Sequence, residues 1–248
     1  MSKSLTLRHW VKRREHPLAA LIYTSVHWLK NASFPSIPPV HKPLYYLHCA
    51  TRDLWRNMLR IFYYTPMFQS RLTRPAKELF LESGMPLVLG PLQITIGEHS
   101  HIFGSTTFTG RGNGKIAPEL IIGRNCGIGW QVTIAVGTKV VFGDNVRVTN
   151  KCFLAGYPGH PVDPVARARG DADLDEQAGD IILEDDVWVC TGSVVNAGVR
   201  IGRGTIVASG SVVTKDLPPM VLAGGIPARV IRPLFPQEVR GNLKTGTA

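Results

Sequence analysis

The stretch LEDDVWVCTGSVVNAGVRIGRGTIVASGSVV, residues 183–213, places an aliphatic residue at every sixth position. A period of six matches neither a helix of about 3.6 residues per turn nor a strand of alternating residues. It predicts short strands joined by tight corners, as in a hexapeptide β-helix. Small or polar residues follow most of the repeated positions, which leaves room for the backbone to turn. The repeated positions are Leu183, Val189, Val195, Ile201, Val207 and Val213.

The same period extends towards the N-terminus in groups of three. These groups are Ile96, Ile102 and Phe108; Ile122, Ile128 and Ile134; and Phe142, Val148 and Leu154. With the two groups in residues 183–213, they predict a mainly β fold of five triangular turns.

The period is interrupted only after a completed group of three. Insertions follow Phe108, Ile134 and Leu154, so we expect all three to leave the prism at one corner. Turns stack at the spacing of adjacent strands, about 4.8 Å, so loops from the first and third turns emerge about 10 Å apart. One substrate is therefore able to touch both loops.

The charge of the chain is concentrated at its front end. The net charge is +10 over 248 residues, and residues 1–80 hold 13 Lys and Arg against 3 Asp and Glu. Residues 81–248 hold 15 of each kind. We predict three parts: a basic, aromatic-rich helical segment at 1–80, the β-helix at 81–234 and a C-terminal tail at 235–248. Helices are expected around 5–29 and 48–64, separated by a Pro-rich linker at 34–43.

Two interpretations of residues 1–80 stay open. The aromatic side chains either pack the helices onto the first turn of the prism, or settle at an anionic membrane surface while Lys and Arg meet lipid phosphates. The apolar run at 18–29 is too short for a membrane span. No nucleic-acid-binding motif accompanies the charge, so nucleic acid is not expected as a partner.

The four cysteines lack C-x-x-C spacing, which argues against a disulfide framework or a cysteine zinc site. Cys126, Cys152 and Cys190 fall within the repeats and are expected to fill the core. We expect a cytoplasmic protein, with a peripheral position on the inner face of the membrane if residues 1–80 contact lipid. The acidic run at 171–176 has no accompanying histidine, so we read it as a solvated flap and expect no metal.

His160 is the strongest candidate for chemistry. The repeat region contains three histidines, His99, His101 and His160, and of these only His160 falls in an insertion. Loops on rigid scaffolds commonly carry catalytic groups. An imidazole is able to accept and return a proton near neutral pH.

Four motifs in order resemble the hexapeptide-repeat acetyltransferases that acetylate sugars, with the galactoside and maltose O-acetyltransferases as the most similar pattern. The motifs are GHPVDP at 159–164, VWV at 187–189, GSVVTKDLPP at 210–219 and AGGIPARVIR at 223–232. The resemblance covers about residues 94–234. It implies a left-handed parallel β-helix, a homotrimer, and acetyl-CoA as co-substrate between neighbouring subunits.

The resemblance also implies roles for individual residues. It makes His160 the general base that removes a proton from the acceptor hydroxyl. In the family, an aromatic residue near the active site occupies the position of Trp188. The alternative is that Trp188 only covers an exposed strand face. The remaining positions that the motif match assigns to coenzyme A are Thr191, Ser209, Thr214, Lys215, Arg229 and Arg232.

The acceptor side departs from the family pattern. The family's acceptor-binding asparagine precedes its histidine by about thirty residues, and Gly129-Trp130-Gln131 stands there instead. Galactoside or maltose is therefore doubtful as acceptor. Arg111 and Asn113, in the first insertion, are the predicted substrate-binding residues because they leave at the corner that carries His160.

We therefore predict an acetyl-CoA-dependent O-acetyltransferase acting on a carbohydrate, such as a precursor of a surface polysaccharide or a lipid-linked glycan. One alternative is a zinc enzyme like the γ-class carbonic anhydrases, which share the prism and bind zinc through three histidines. Another is a trimeric scaffold that has lost its chemistry.

Overall fold

The computed structural model describes residues 3–234, with side chains from residue 7 onwards. The predicted tail at 235–248 lies outside the described residues. The chain divides into two compact units between residues 53 and 54. The first unit is helical, and the second contains all the strands of the described residues.

Helices occupy the front of the chain and one later insertion. They are α1 (Lys3–Arg13), α2 (Pro17–Asn31), α3 (Pro38–Leu59), a π-helical turn (Arg60–Tyr64), α4 (Thr65–Gln69), α5 (Pro164–Arg169) and a 3-10 turn (Asp175–Gln177).

Three sheets form the sides of the prism. Sheet A contains β1 (Phe80–Glu82), β4 (His101–Phe103), β7 (Gly127–Ile128), β10 (Arg147–Val148), β13 (Trp188–Val189), β16 (Ile206–Val207), β18 (Val221–Gly225) and β19 (Ala228–Pro233). Sheet B contains β2 (Leu87–Leu89), β5 (Thr107–Gly110), β8 (Thr133–Val136), β11 (Phe153–Ala155), β14 (Val194–Asn196) and β17 (Val212–Val213). Sheet C contains β3 (Gln93–Ile96), β6 (Glu119–Ile122), β9 (Lys139–Phe142), β12 (Ile181–Leu183) and β15 (Arg200–Ile201).

The sheets stack as in a left-handed parallel β-helix, which confirms the predicted fold class. Every predicted repeat position lies in a strand and is buried. The register matches as well: in sheet A, Ile102 pairs with Ile128, which pairs with Val148, and the column continues through Val189 and Val207. Each repeated side chain therefore stacks on its counterpart from the neighbouring turn.

The predicted insertions leave the prism at one corner. Residues 111–118, 137–138 and 156–180 each connect a strand of sheet B to the next strand of sheet C. We call this edge between sheets B and C the insertion corner. The corner between sheets A and B carries only short connections, and we call it the A/B corner.

The prism extends beyond the five predicted turns. Leu81 in β1 pairs with Ile102, and Val88 in β2 pairs with Phe108, which adds a partial turn at the N-terminal end. The other end is closed by β18, which pairs with β16, and by β19, which runs antiparallel to β18. This hairpin carries the AGGIPARVIR motif.

The predicted linker at 34–43 is wrong in its second half, because α3 already begins at Pro38. Proline lacks an N–H group, but the first turn of a helix does not need that donor, so Pro38 and Pro39 are compatible with a helix start. Among the described residues, none of the helices combines the length and apolarity that crossing a membrane requires.

Candidate functional site

His160 lies at the insertion corner with an exposed side chain. The loop that carries it closes on itself, because the Gly179 N–H donates to the Gly156 carbonyl over 3.0 Å. Gly159, directly before the histidine, has a φ of +78°. A side chain at residue 159 would meet open space, so the backbone conformation is what favours glycine there.

The residues after His160 are held by a short helix. Asp163 caps α5, and its carboxylate accepts hydrogen bonds from the N–H groups of Val165 and Ala166 at 3.3 and 2.9 Å. From α5, the Arg167 guanidinium reaches back to the loop and donates to the carbonyls of Pro161 and Val162, each at a distance of 3.0 Å. The backbone next to His160 is therefore fixed, and within the described residues no side chain hydrogen-bonds to its imidazole.

The other end of this loop is anchored by a buried ion pair. Arg111 Nε lies 3.1 Å from Asp173 Oδ1, and Nη1 lies 2.7 Å from Asp175 Oδ1. Burial, the largest single influence, lowers the pKa of Arg111. The hydrogen bonds and charges of Asp175 and Asp173 outweigh it, so the pKa stands above its usual value. This ion pair therefore attaches the insertion that carries His160 to the prism at the level of the first turn.

Asn113 takes part in the same anchor. Its Nδ2 group donates to Asp173 Oδ1 at 2.8 Å and to the Asp173 carbonyl at 3.0 Å. The predicted proximity of Arg111 and Asn113 to the insertion with His160 is thus observed, but their donors are directed to Asp173 and, for one nitrogen of Arg111, to Asp175. Their contact with the acceptor stays a prediction. The expected solvated flap is correct for Asp171, Asp175 and Glu176, which are exposed, but wrong for Asp173, whose carboxylate is buried.

A cavity of about 470 Å³ opens beside the insertion corner. Arg111 and Asp175 line it together with residues that the sequence did not single out, among them Thr138, Lys139 and Asp180. Thr138 and Asp180 are hydrogen-bonded to each other across two insertions. Only the fold brings these positions together, so no local sequence signal marks them.

The predicted coenzyme A positions fall at two corners and on the closing hairpin. Thr191 and Ser209 are exposed at the A/B corner, where the Gly210 N–H donates to the Thr191 carbonyl at 2.9 Å. Thr214 and Lys215 are exposed at the insertion corner, two turns beyond the level where the loop with His160 leaves.

The cations at the C-terminal end of the prism differ from the exposed cations that lie in or next to the strands of sheet C. Arg124, Lys139, Arg200 and Arg203 each pair with a carboxylate at 2.9 Å or less. Among the described residues, none of the three predicted cofactor cations has a carboxylate partner. These three are Lys215, Arg229 and Arg232.

Trp188 lies on the outer face of sheet A, between the buried Val187 and Val189, and its side chain is 44% exposed. In register it stands between Arg147 and Ile206. This position agrees with the predicted covering of a strand face. Contact between Trp188 and the cofactor stays a prediction.

The three histidines of the zinc alternative are not gathered in the chain. His99 Nδ1 lies 2.7 Å from Glu78, and His101 stacks on Phe103 near Glu82, whereas His160 stands on the later insertion. Within residues 3–234 the structure contains no group of three or more His, Cys, Asp or Glu side chains that is able to hold a metal ion.

Comparison with known proteins gives a consistent result. The bacterial transferase hexapeptide family (six repeats) matches residues 180–215. Galactoside O-acetyltransferase of Escherichia coli (strain K12) is 35% identical over 138 residues, which cover 56% of this chain and 63% of that enzyme. Galactoside O-acetyltransferase of Lactococcus lactis subsp. lactis (strain IL1403) is 39% identical over 99 residues, which cover 40% and 42%. The chain thus spans less than two thirds of the length of either relative.

Among solved structures, AntD, an N-acyltransferase from Bacillus cereus in complex with dTDP and 3-hydroxybutyryl-CoA, aligns with a TM-score of 0.52. The alignment covers 72% of this chain and 92% of that chain at 13% sequence identity. At this identity the likeness concerns the fold alone.

Proposed function

Because the chain belongs to the hexapeptide-repeat acetyltransferase family, we propose that it is an acetyl-CoA-dependent O-acetyltransferase with a carbohydrate acceptor. The names of the two galactoside O-acetyltransferases support a sugar hydroxyl as the acceptor group. The observation that carries the proposal is the placement of His160. Its imidazole is exposed and has no hydrogen bond from the described side chains, while the loop beneath it is held at both ends.

His160 is the general base of the proposed reaction. Acetyl-CoA, when bound, supplies the acetyl group as a thioester. The imidazole removes the proton of the acceptor hydroxyl while the new ester bond forms and the C–S bond breaks. The imidazolium then returns the proton to the departing thiolate sulfur, so charge and protons balance. The Arg167 contacts to Pro161 and Val162 orient the backbone that carries the imidazole.

The residues at the predicted cofactor positions fit the chemistry of coenzyme A. Its phosphates require cationic donors, and Lys215, Arg229 and Arg232 are exposed without a carboxylate partner among the described residues. The hydroxyl groups of Thr191, Ser209 and Thr214 offer further donors. We assign these six residues to cofactor binding, and we include Trp188 as an aromatic contact.

We propose a homotrimer because one chain presents these groups on different edges. Thr191 and Ser209 lie at the A/B corner, whereas His160 and Lys215 lie at the insertion corner, with sheet B between the two edges. A neighbouring prism with parallel orientation would bring the two kinds of corner together. The outer face of sheet B also exposes apolar residues that a neighbour would cover, namely Leu87, Leu89 and Phe153.

The acceptor is proposed to bind at the insertion corner. The cavity there offers both cations and carboxylates, with Lys139, Asp175 and Asp180 in its lining. Such a lining suits a polyhydroxylated ligand, because every hydroxyl is both a donor and an acceptor. We propose that Arg111 and Asn113 contribute to this acceptor site through the loop that they anchor.

Purified protein should be incubated with acetyl-CoA and a panel of sugars and nucleotide sugars, and the products should be analysed by mass spectrometry for one added acetyl group. His160→Gln should lower turnover by about 10²- to 10⁴-fold. Its circular dichroism should be unchanged because the side chain is exposed. Turnover close to that of the unmodified protein would refute the role of His160. Absence of acetyl-CoA binding by calorimetry would instead support the scaffold alternative.

A further inference from the structure

Helix α2 exposes a broad apolar face. Among its residues only Ala19 is buried. Six large apolar side chains are between 42 and 70% exposed, and on a helical wheel they fall within an arc of about 160°. Soluble helices normally bury such a face. The six residues are Leu18, Leu21, Ile22, Val26, Trp28 and Leu29.

Helix α3 exposes a narrower apolar stripe along most of its length. None of its residues is buried. Val40, Leu44, Leu47, Leu54 and Met58 recur at alternating steps of three and four, with one step of seven, so they follow one side of the helix. Their side chains are 46 to 66% exposed.

The position skipped in the stripe, Thr51, does not interrupt its apolar character. The Thr51 hydroxyl donates to the carbonyl of Leu47 at 3.0 Å and to that of His48 at 3.0 Å. A hydroxyl satisfied within its own helix costs less to transfer out of water than a free one. Thr51 therefore adds no free hydrogen-bonding hydroxyl group to the apolar stripe.

The opposite side of α3 carries the cations. Arg56 donates to Glu82 at 2.9 Å, and the Arg60 guanidinium, in the following π-helical turn, lies 4.3 Å from the centre of the Phe80 ring. Both side chains thus turn towards β1, while Leu54 and Met58 point away from it. The exposed stripe is left without a partner in the described chain.

We propose that the exposed faces of α2 and α3 dock onto an anionic lipid bilayer, lying in its interface without crossing it. Residues 7–69 hold 9 Lys and Arg against 2 Asp and Glu, so their charge is complementary to anionic headgroups. Exposed Trp side chains lie near the C-terminal ends of both helices, Trp28 in α2 and Trp55 in α3, and Trp favours the membrane interface.

A second copy of α3 is a weaker occupant of the stripe. The positions that flank a coiled-coil seam usually carry complementary charges that select the partner. Here one flank has Pro43, Ala50 and Asn57, and the other has His41, His48 and Trp55. The cations lie on the far side, where they would give a helical partner no attraction, whereas the surface potential of anionic lipids acts over about 10 Å.

The lipid proposal also suggests where the acceptor is found. A bilayer-bound enzyme would meet glycans attached to lipid carriers at the membrane surface. This consequence rests on the proposed function, whereas the docking itself does not.

The test is sedimentation of the full chain with vesicles of phosphatidylcholine alone or with added phosphatidylglycerol. We expect binding to the anionic vesicles, and weaker binding as salt increases. Leu21→Glu with Leu29→Glu, and Leu47→Glu with Leu54→Glu, should each lower the partition coefficient by about tenfold or more. The matched control is Ile116→Glu with Ile226→Glu, since both residues are exposed in the second unit. It should change binding by less than about twofold.

Equal binding of the variants and the unmodified protein would overturn the proposal. So would equal binding to neutral and anionic vesicles. A lower oligomer mass of the variants in light scattering, with vesicle binding unchanged, would assign the faces to a second copy. Acetyl transfer to a soluble acceptor, measured without vesicles, tests the enzymatic proposal separately, so failure of either proposal is recognised independently of the other.

Discussion

Arg111 and Asp173 are 62 positions apart in the chain and form a buried ion pair, with 3.1 Å between Nε and Oδ1. Only 3% of the Arg111 side chain and 4% of the Asp173 side chain are exposed. The pair connects the insertion with His160 to the first insertion, so two loops that leave different turns are held together. Asp173 Oδ2 is also buried and has no hydrogen-bond partner among the described residues, so the carboxylate depends on the cation beside it.

Arg111→Met should destabilise the protein by about 3–5 kcal/mol, because it leaves the Asp173 charge buried without its partner. Chemical denaturation measures the loss. Arg111→Met with Asp173→Leu removes both charges and should recover part of that loss. If the single variant is as stable as the unmodified protein, the pair does not anchor the loop.

Arg167→Ala should lower kcat by about tenfold or more while leaving KM for acetyl-CoA unchanged. Arg167 holds the carbonyls of Pro161 and Val162, and small displacements of a catalytic group are costly. Arg169→Ala is the matched control, because Arg169 belongs to the same helix but pairs with Asp171. Arg167→Lys should restore part of kcat. Equal effects of the Arg167 and Arg169 substitutions would contradict a positioning role.

Lys215→Ala, Arg229→Ala and Arg232→Ala should each raise KM for acetyl-CoA by about tenfold, with little change in kcat. Each variant loses a charge-assisted contact to phosphate, for which about 1.5–3 kcal/mol is typical. Arg203→Ala serves as the control because its guanidinium already pairs with Asp185. Steady-state kinetics with varied acetyl-CoA measures the effect. An equal rise of KM in the control would indicate that general charge, and not these contacts, is responsible.

The fold was predictable because its period is local. Ile122, Ile128 and Ile134 each begin a unit of six, and each unit occupies one side of the prism, so sequence spacing translates directly into position. The partial N-terminal turn was missed because Leu81 and Val88 are seven residues apart and no third repeat completes them. A strict period of six residues therefore begins only at Ile96 and leaves this partial turn out.

The site was predictable only where a motif or an interruption marks it. His160 stands out as a histidine in an insertion, and the insertion corner follows from where the period breaks. The partner of Arg111 does not follow from either signal, because Asp173 lies among four acidic residues of similar appearance in the run 171–176. Which of them is buried depends on the path of the folded loop.

Ile122→Ala should destabilise the protein by about 2–5 kcal/mol, because Ile122 is buried in the repeat column of sheet C. Ile121→Ala is an internal control: it is the adjacent residue of β6 and faces outward, half-buried. We expect a clearly smaller loss for it in urea denaturation. Similar losses for the two variants would contradict the inward position of the repeated side chains.

Cys126 should resist alkylation in the folded protein and react after unfolding. Burial is the main cause that raises the pKa of the Cys126 thiol to about 11, from the ordinary 9.0. At pH 8 the reactive thiolate is therefore almost absent. Labelling with iodoacetamide followed by peptide mass spectrometry should find Cys126 and the buried Cys152 unmodified without denaturant. Rapid labelling of Cys126 in the folded state would contradict its burial.

The same shift makes stability depend on pH in a defined window. Because the folded-state pKa of Cys126 is raised, its contribution to stability is complete below about pH 9 and is lost as pH rises towards 11. The loss should reach about 2–3 kcal/mol, the free-energy equivalent of two pKa units. Cys126→Ala should make the stability of the protein less dependent on pH between 9 and 11 in urea denaturation. An unchanged pH dependence in this variant would show that other groups, such as lysines and tyrosines, control stability in that range.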